Sequence, residues 1–198
     1  MPNWCSNTIE IKGDKESIDE FKKFLDEGNG KDWFNFFLPT PTELKDEGWY
    51  EWNVQNWGCK WNCDAQNWQR EENTIKFWFD SPWAPPTILY ERMTEKGFFI
   101  DAHYLEEGMS FVGRFVDGFD DYNEYDLEDP DSLDIISEEI LEYWNLRERQ
   151  EDWLAEQRRA RELGENTYAA NPKMNIAELL EGWLIAHKMS VKPNTYRC

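Results

Sequence analysis

Polar and apolar residues alternate along Asn7–Lys12 and again along Asn73–Phe79. Successive side chains of a β-strand point to opposite faces, so each run predicts a strand with one buried face and one exposed face. Between the two runs, apolar residues follow helical spacing after Asp14, a favourable N-cap, and the pattern stops at Gly28. A half-buried strand followed by an amphipathic helix requires helices packed on a sheet, which limits the fold more than any other feature of the sequence.

The order of the remaining elements narrows the fold to one arrangement. They are a strand over Cys59–Gln66 that pairs with Asn73–Phe79, a helix from Pro85 or Pro86 to Gly97, and two closing strands over Phe98–Leu105 and Met109–Asp117. The order is βαββαβ plus an added strand. It predicts an α+β fold, namely a ferredoxin-like antiparallel sheet with two helices against one face and a long Trp-rich insertion after the first helix.

An acidic run between Asp117 and Asp131 divides the chain. It holds eight acidic residues and no basic residue, and the patterns beyond it are helical only. We therefore predict a ferredoxin-like domain over residues 1–128 and a helical tail over residues 129–198.

The tail is predicted to form an α-helical hairpin. Its first helix starts between Pro130 and Ser132 and runs towards Gly164, and the second follows Pro172. The ordinary interpretation is that the hairpin packs against the sheet domain or against a second copy in a homodimer. The alternative is a helix face that binds a partner.

The net charge limits the classes of partner that the protein is expected to bind. The chain carries 41 acidic and 21 basic residues, a formal charge of −20, yet 40% of its residues are hydrophobic and 12 are Trp. Such a chain folds, but its charge opposes direct binding to nucleic acid or to an anionic membrane and favours a basic partner. Four Cys without a disulfide pattern, no secretion signal and no apolar run of membrane-spanning length predict a cytoplasmic protein.

Eight of the tryptophans lie within a short stretch. They are Trp33, Trp49, Trp52, Trp57, Trp61, Trp68, Trp78 and Trp83. The ordinary interpretation is a hydrophobic core, because each buried Trp removes a large apolar area from water. An aromatic-lined cleft for a peptide or carbohydrate is the alternative. Stacking of single-stranded nucleic acid is disfavoured because residues 33–83 hold eight acidic and four basic residues.

Two groups of residues contain side chains of the types that carry out chemistry. Cys59 and Cys63, with Cys5 or His103, contain zinc-ligand types, but on a strand Cys59 and Cys63 would lie roughly 13 Å apart, so buried structural thiols are predicted. The second is a Pro2 amine acting as a base near Arg114 and the Glu106, Glu107 pair. No signature brings these residues together. We therefore predict no cofactor, no metal and no enzymatic activity, and keep an enzyme that uses Pro2 as an alternative.

The acidic run carries the candidate binding site. A solvated linker is its ordinary interpretation. Aromatic residues interleaved with the acids can instead fix the carboxylates so that they imitate phosphates. The candidate partner-binding residues are Asp117, Asp120, Asp121, Glu124, Asp126, Glu128 and Asp129.

Five ordered strings resemble one known family. They are MPNWCSN at Met1–Asn7, FNFFLPTPTEL at Phe34–Leu44, the Trp-rich segments WYEW and NWGCKW between Trp49 and Trp61, SPWAPP at Ser81–Pro86, and YLEEGMSFVGR at Tyr104–Arg114. Together they resemble the Api-ninety-two-like family of uncharacterised phage and plasmid proteins. The resemblance covers roughly residues 1–116 and implies a ferredoxin-like N-terminal domain, a mobile-element origin and no transferable catalytic residues.

These observations lead to one expected function. The protein is expected to be a non-catalytic, acidic protein-binding protein of phage origin. It would act in the host cytoplasm as a nucleic-acid mimic that inhibits a basic nucleic-acid-binding or defence protein of the host. The alternatives are an enzyme of unrecognised type and an aromatic-lined peptide- or carbohydrate-binding module.

Overall fold

The computed structural model describes residues 2–44 and 46–169, with side chains as far as residue 163. The described strands are β1 (Trp4–Lys12), β2 (Gln66–Glu71), β3 (Thr74–Pro82), β4 (Phe99–Glu106), β5 (Phe111–Val116) and β6 (Phe119–Glu124). The described helices are α1 (Lys15–Gly28), α2 (Phe34–Phe37), α3 (Trp49–Trp57), α4 (Thr87–Glu95), α5 (Glu138–Trp144) and α6 (Leu146–Ala169), and a 3₁₀ turn covers Thr42–Leu44.

The six strands form one sheet in the order β2-β3-β1-β4-β5-β6, and every neighbouring pair is antiparallel. The first four strands, with α1 after β1 and α4 after β3, have the ferredoxin-like connectivity. The predicted α+β fold with an antiparallel sheet is therefore confirmed. β5 and β6 extend the sheet beyond β4.

Alternation along the strands produces the main core. In β1 the side chains of Ile9 and Ile11 are buried, and their register partners in β3 are Phe77 and Ile75. The Asp14 side chain caps α1 by accepting from the Ser17 amide, and α1 buries its apolar stripe on the same face of the sheet. α4 adds buried side chains to that cluster, so the helices cover one face of the sheet as the sequence predicts.

The insertion between α1 and β2 differs from the prediction. Cys59–Gln66 is not a strand over most of its length: residues 59–65 form a loop, and β2 starts at Gln66. The loop bonds to the segment after α1, because Ala65 N donates to Gly30 O at 2.8 Å and Trp33 N donates to Cys63 O at 3.2 Å. Cys59 and Cys63 are buried against that segment. Their burial gives the loop the alternating pattern of a strand, although residues 59–65 pair with no described strand of the sheet.

The acidic run is not a solvated linker at its start, because Phe119–Glu124 forms the edge strand β6. β6 pairs with β5 over six register positions, from Phe111 opposite Glu124 to Val116 opposite Phe119. The two-residue turn between them is Asp117-Gly118, with φ values of 45° and 93°. Positive φ at both positions is the geometry of the tight hairpin turn that Asp-Gly favours, and this signal identifies the hairpin in the sequence.

The other face of the sheet is covered by residues that the sequence assigns to the tail. Side chains from β4 and β5 join a second buried cluster with the segment that follows β6. Its members are Leu105, Val112, Tyr125, Leu133, Ile136, Ile140, Leu141 and Leu146. The first compact unit accordingly extends to residue 150, beyond the predicted boundary of 128/129, because the apolar stripe of α5 belongs to the sheet domain.

The predicted first tail helix is two helices. Residues before Ser137 form turns, α5 begins at Glu138, and Asn145 adopts a left-handed φ of 53° that separates α5 from α6. The predicted second helix after Pro172 lies outside the described residues. Within the described part of the chain, no helix is both long enough and apolar enough to cross a membrane.

We predict that α5 is part of the cooperative fold of the first unit. Ile140 is fully buried, so Ile140→Ala should lower the free energy of unfolding by about 2–5 kcal/mol, measured by urea denaturation. Ile135, which is 78% exposed in the preceding turn, provides the matched control, and Ile135→Ala should change stability by less than about 0.5 kcal/mol. Equal effects of the two substitutions would contradict the assignment of α5 to this unit.

Candidate functional site

The predicted acidic residues lie on one edge of the sheet and in the loop that follows it. Asp117 is in the hairpin turn, Asp120, Asp121 and Glu124 are on β6, and Asp126, Glu128 and Asp129 follow in the loop; we call these seven residues the acidic edge. All are exposed except Asp121, which is half-buried. The structure thus brings the seven together along one continuous segment.

Asp120 is held by a buried tyrosine. The Tyr104 hydroxyl donates to Asp120 Oδ1 at 2.7 Å, across β5. Gly113 lies between them on β5, and a Cβ there would be 2.2 Å from the Tyr104 hydroxyl oxygen, so only glycine leaves room for the bond. Loss of hydration raises the pKa of the Asp120 carboxyl, whereas the bond from Tyr104 acts to lower it.

Other carboxylates of the acidic edge are fixed by neutral donors. Asn123 Nδ2 donates to Asp121 Oδ1 at 3.0 Å, and the Tyr122 hydroxyl donates to Glu124 Oε1 at 3.3 Å.

In the loop, Asp126 Oδ1 accepts from the Glu128 amide at 2.8 Å and Asp129 Oδ1 accepts from the Asp131 amide at 3.0 Å. Gln150 Nε2 donates to Asp129 O at 2.9 Å, which ties the loop to the first turns of α6. Five of the seven carboxylates, those of Asp120, Asp121, Glu124, Asp126 and Asp129, therefore accept a hydrogen bond that positions them.

None of the seven carboxylates forms an ion pair with a residue that the structure describes. The nearby cations are already paired: Arg114 contacts Asp101 and Glu139, and Arg149 contacts Glu107. The acidic edge consequently combines fixed carboxylates with an uncompensated negative field.

A second group of ionisable residues lies on the face of the sheet that α5 covers. Arg114 makes two bonds to Asp101, at 2.9 and 2.8 Å. The His103 ring stacks on the Tyr143 ring with centroids 3.8 Å apart and planes 7° apart. His103 Nε2 is 3.9 Å from Asp101 Oδ1, too far for a hydrogen bond. This group attaches α5 to the sheet.

The residues of the Pro2 hypothesis are not gathered into one site. Glu106 and Arg114 point to opposite faces of the sheet according to their register. The buried Glu106 carboxylate accepts from the backbone amides of Gly108 and Met109, and Glu107 pairs with Arg149. Glu106 therefore stabilises the turn between β4 and β5, and Glu107 stabilises a contact with α6.

The tryptophan-rich stretch divides between core and surface. Trp33 and Trp57 are buried in the main core, and Trp52 and Trp68 pack against it, as the core interpretation predicts. Trp78 and Trp83 are 39% and 40% exposed, and Trp61 is half-buried.

Three aromatic rings surround the Lys60 ammonium group. Lys60 Nζ lies 5.7 Å from the ring centroid of Tyr50, 5.3 Å from that of Trp61 and 5.4 Å from that of Trp83. We call Tyr50, Trp61 and Trp83 the aromatic cage. Beside it, a cleft of about 290 Å³ is lined by Trp4, Trp61, Asn62, Cys63, Asp64, Gln66 and Asp80. No sequence pattern indicates this grouping, because Tyr50 and Trp83 are far apart in the chain.

Cys5, Cys59 and Cys63 are buried free thiols, as predicted, and Cys198 lies outside the described residues. Because residues 59–65 form a loop, the thiols of Cys59 and Cys63 both donate to Trp61 O, at 3.4 and 3.8 Å. Burial raises the pKa of the Cys5 and Cys63 thiols, which keeps them protonated. Among the described residues, no group of three or more His, Cys, Asp or Glu is placed to hold a metal ion.

Comparison with known proteins gives one distant likeness. No protein-family model matches the chain, and no curated protein matches it. The crystal structure of protein api92 from Yersinia pseudotuberculosis is similar, at 12% identity and a TM-score of 0.45, over 64% of this chain and 99% of that chain. The fold assignment rests on the strand order described above, and a phage or plasmid origin stays a prediction.

We predict that the Tyr104 hydroxyl stabilises the acidic edge. Tyr104→Phe should lower the free energy of unfolding by about 1 kcal/mol in urea denaturation and should raise the pKa of Asp120 further, measured by carboxyl NMR titration. Tyr122→Phe is the control, because its bond to Glu124 is long and exposed, and it should change stability by less than about 0.5 kcal/mol. An unchanged pKa of Asp120 in Tyr104→Phe would show that the bond does not form in solution.

We also predict that His103 makes the fold sensitive to mild acid. Burial lowers its pKa from 6.5, Arg114 lowers it further, and Asp101 and Glu139 oppose this shift. The unfolded state therefore binds the proton more tightly, so the free energy of unfolding falls as the pH drops below about 6.5. Urea denaturation between about pH 7.5 and 5.5 should show a steeper loss for the native chain than for His103→Gln. Parallel curves would contradict this prediction.

Proposed function

We propose that the protein is a non-catalytic binding module that captures a basic segment of another protein through the acidic edge. The observation that supports this proposal is the combination of fixed carboxylates with the lack of a paired cation among the described residues. Surface charges usually gain little from pairing, but a coherent field of one sign accelerates encounter with a partner of the opposite sign.

The strand geometry supports an extended partner. β6 ends the described sheet and pairs with β5 on one side, so its outer backbone groups are available to a further strand. Phe119 is 70% exposed and Tyr122 is 49% exposed, which offers apolar contacts beside the carboxylates. A segment rich in Lys and Arg can pair with the backbone of β6 and place its cations against the acidic edge.

The finer proposal concerns the identity of the partner. A basic segment that normally contacts phosphates meets a series of carboxylates at the acidic edge, carried on both faces of β6 and in the loop after it. We propose a nucleic-acid-binding or defence protein of a host cell as the target, with the acidic edge in place of the polynucleotide. On this proposal, the acidic protein and DNA compete for the same surface of the target.

We predict that binding depends on the position of the charges and not on net charge alone. The triple variant Asp121→Lys, Glu124→Lys, Glu128→Lys keeps the Asp117-Gly118 turn and the Tyr104–Asp120 bond. Its affinity for a labelled peptide of alternating Lys and Val, about eight residues long, should fall about tenfold or more at ~50 mM salt. The native affinity should itself fall steeply towards ~300 mM salt. Fluorescence anisotropy measures both effects.

The matched control carries the same change in charge elsewhere. Glu16→Lys, Glu20→Lys, Glu71→Lys alters three exposed residues of α1 and β2, at the opposite side of the sheet from β6. This variant should lose less than about threefold in affinity, because screening confines the field of an exposed charge to roughly 10 Å. Equal losses in both variants would show that the peptide responds to net charge only, and the proposal would fail.

A further inference from the structure

The aromatic cage has the geometry of a receptor for an organic cation. Its three ring centroids lie within 5.7 Å of one ammonium nitrogen. Attraction between a cation and an aromatic face acts within about 6 Å, and several rings around one charge are the arrangement that recognises quaternary ammonium groups. The rings of Trp61 and Trp83 are inclined by 62°, so they enclose a compact cation, whereas a sugar ring stacks on an open flat surface.

The cage is open to solvent. Tyr50 is 46% exposed and Trp83 is 40% exposed, although both carry large apolar rings. Rings that served only the core would be buried, as Trp33 and Trp57 are. A cation from solution can therefore reach the position that Lys60 Nζ occupies.

The backbone of the cage is fixed from the protein interior. The buried Asn53 donates from Nδ2 to Lys60 O at 2.9 Å, and the thiols of Cys59 and Cys63 donate to Trp61 O. The Lys60 side chain has rotatable bonds beyond this anchored backbone. It can leave the cage by rotation about those bonds while the Trp61 backbone stays in place.

Trp83 is held in a conformation that is costly for a bulky residue. Its φ is 63°, in the left-handed region. The turn is maintained by bonds from Trp83 N to Asn3 O at 2.9 Å and from the Ser81 hydroxyl to Ala84 O at 2.7 Å. The same turn places the indole at the Lys60 ammonium, so the strained position belongs to the cage.

The adjoining cleft adds negative charge. Asp64 and Asp80 line it and form no ion pair with a described residue. Asp80 accepts from the Ser6 hydroxyl at 3.1 Å, and Asp64 accepts from the Asp32 amide at 3.1 Å, so both carboxylates are positioned. A ligand that leaves its cationic head in the cage can extend along Trp61 into this cleft.

We propose that the aromatic cage binds an alkylammonium ligand, either a small quaternary ammonium compound or a methylated lysine side chain, and that Lys60 fills the cage until the ligand displaces it. This site lies apart from β6 and goes beyond the proposed function. A tethered competitor acts at an effective concentration in the millimolar range, so Lys60 weakens the apparent affinity of the native chain for the ligand.

Choline is the probe, and 3,3-dimethylbutan-1-ol is its neutral analogue of equal shape. Titrations are followed through the indole NMR signals of Trp61 and Trp83. Choline should bind the native chain weakly and saturably, and its affinity should increase about tenfold in Lys60→Ala because the internal competitor is gone. The neutral analogue should bind at least about tenfold more weakly than choline to Lys60→Ala.

Second substitutions in the Lys60→Ala background test the rings. Trp83→Ala should abolish choline binding. Tyr50→Leu should weaken it severalfold and serves as the test if Trp83→Ala does not fold. Trp78→Ala removes an exposed tryptophan of β3 that is not in the cage and should leave the affinity unchanged. A methylated-lysine peptide, compared with its unmethylated form, distinguishes a protein ligand from a free small molecule.

Several results would overturn the proposal. They are a Lys60→Ala affinity no higher than that of the native chain, equal binding of choline and its neutral analogue, and equal losses in the Trp78 and cage variants. The triple variant of the acidic edge should keep its choline affinity, and the cage variants should keep their affinity for the Lys-Val peptide. The two proposals can therefore fail separately.

Discussion

The pairing of β1 with both β3 and β4 is the interaction on which the rest of the structure depends. β1 lies inside the sheet, with nine register partners in β3 and seven in β4. Its alternate side chains include Ile9 and Ile11, which are buried beneath α1 and α4. Because backbone pairing fixes the register, a shift of one residue would expose this entire apolar set. The positions of both candidate sites follow from this register.

The way in which α5 covers the second face of the sheet determines the ion pairs of the basic residues near β6. The segment after β6 returns over β4 and β5, where Leu105 and Val112 need cover, and α5 supplies it. Arg114 is used to join Asp101 on the sheet to Glu139 on α5. Arg114 is thereby engaged in attaching α5, and Arg149 of α6 pairs with Glu107. The carboxylates of the acidic edge are left without a cationic partner among the described residues.

The acidic edge and the aromatic cage differ in the sign and the neutralisation of their charge. At the acidic edge, neutral donors such as the Tyr104 hydroxyl position the carboxylates and leave the negative field in place. In the aromatic cage, Lys60 supplies the cation that the rings attract. Both sites are held by buried groups behind them, Tyr104 in the first case and Asn53 in the second. Such preorganisation reduces the ordering cost of binding.

The sequence by itself determined the strands with alternating apolar residues, the helix capped by Asp14, their order and the excess of acid, because these depend on local periodicity and composition. It also contained the Asp117-Gly118 turn, which identifies the hairpin that the acid run obscured. Tertiary structure decided how far the strand after this turn extends, over Phe119–Glu124, because an edge strand is held by backbone pairing with β5 and needs no apolar face. It also decided the loop at 59–65 and the grouping of Tyr50, Trp61 and Trp83 around Lys60, since contacts between distant segments leave no periodic pattern in the chain.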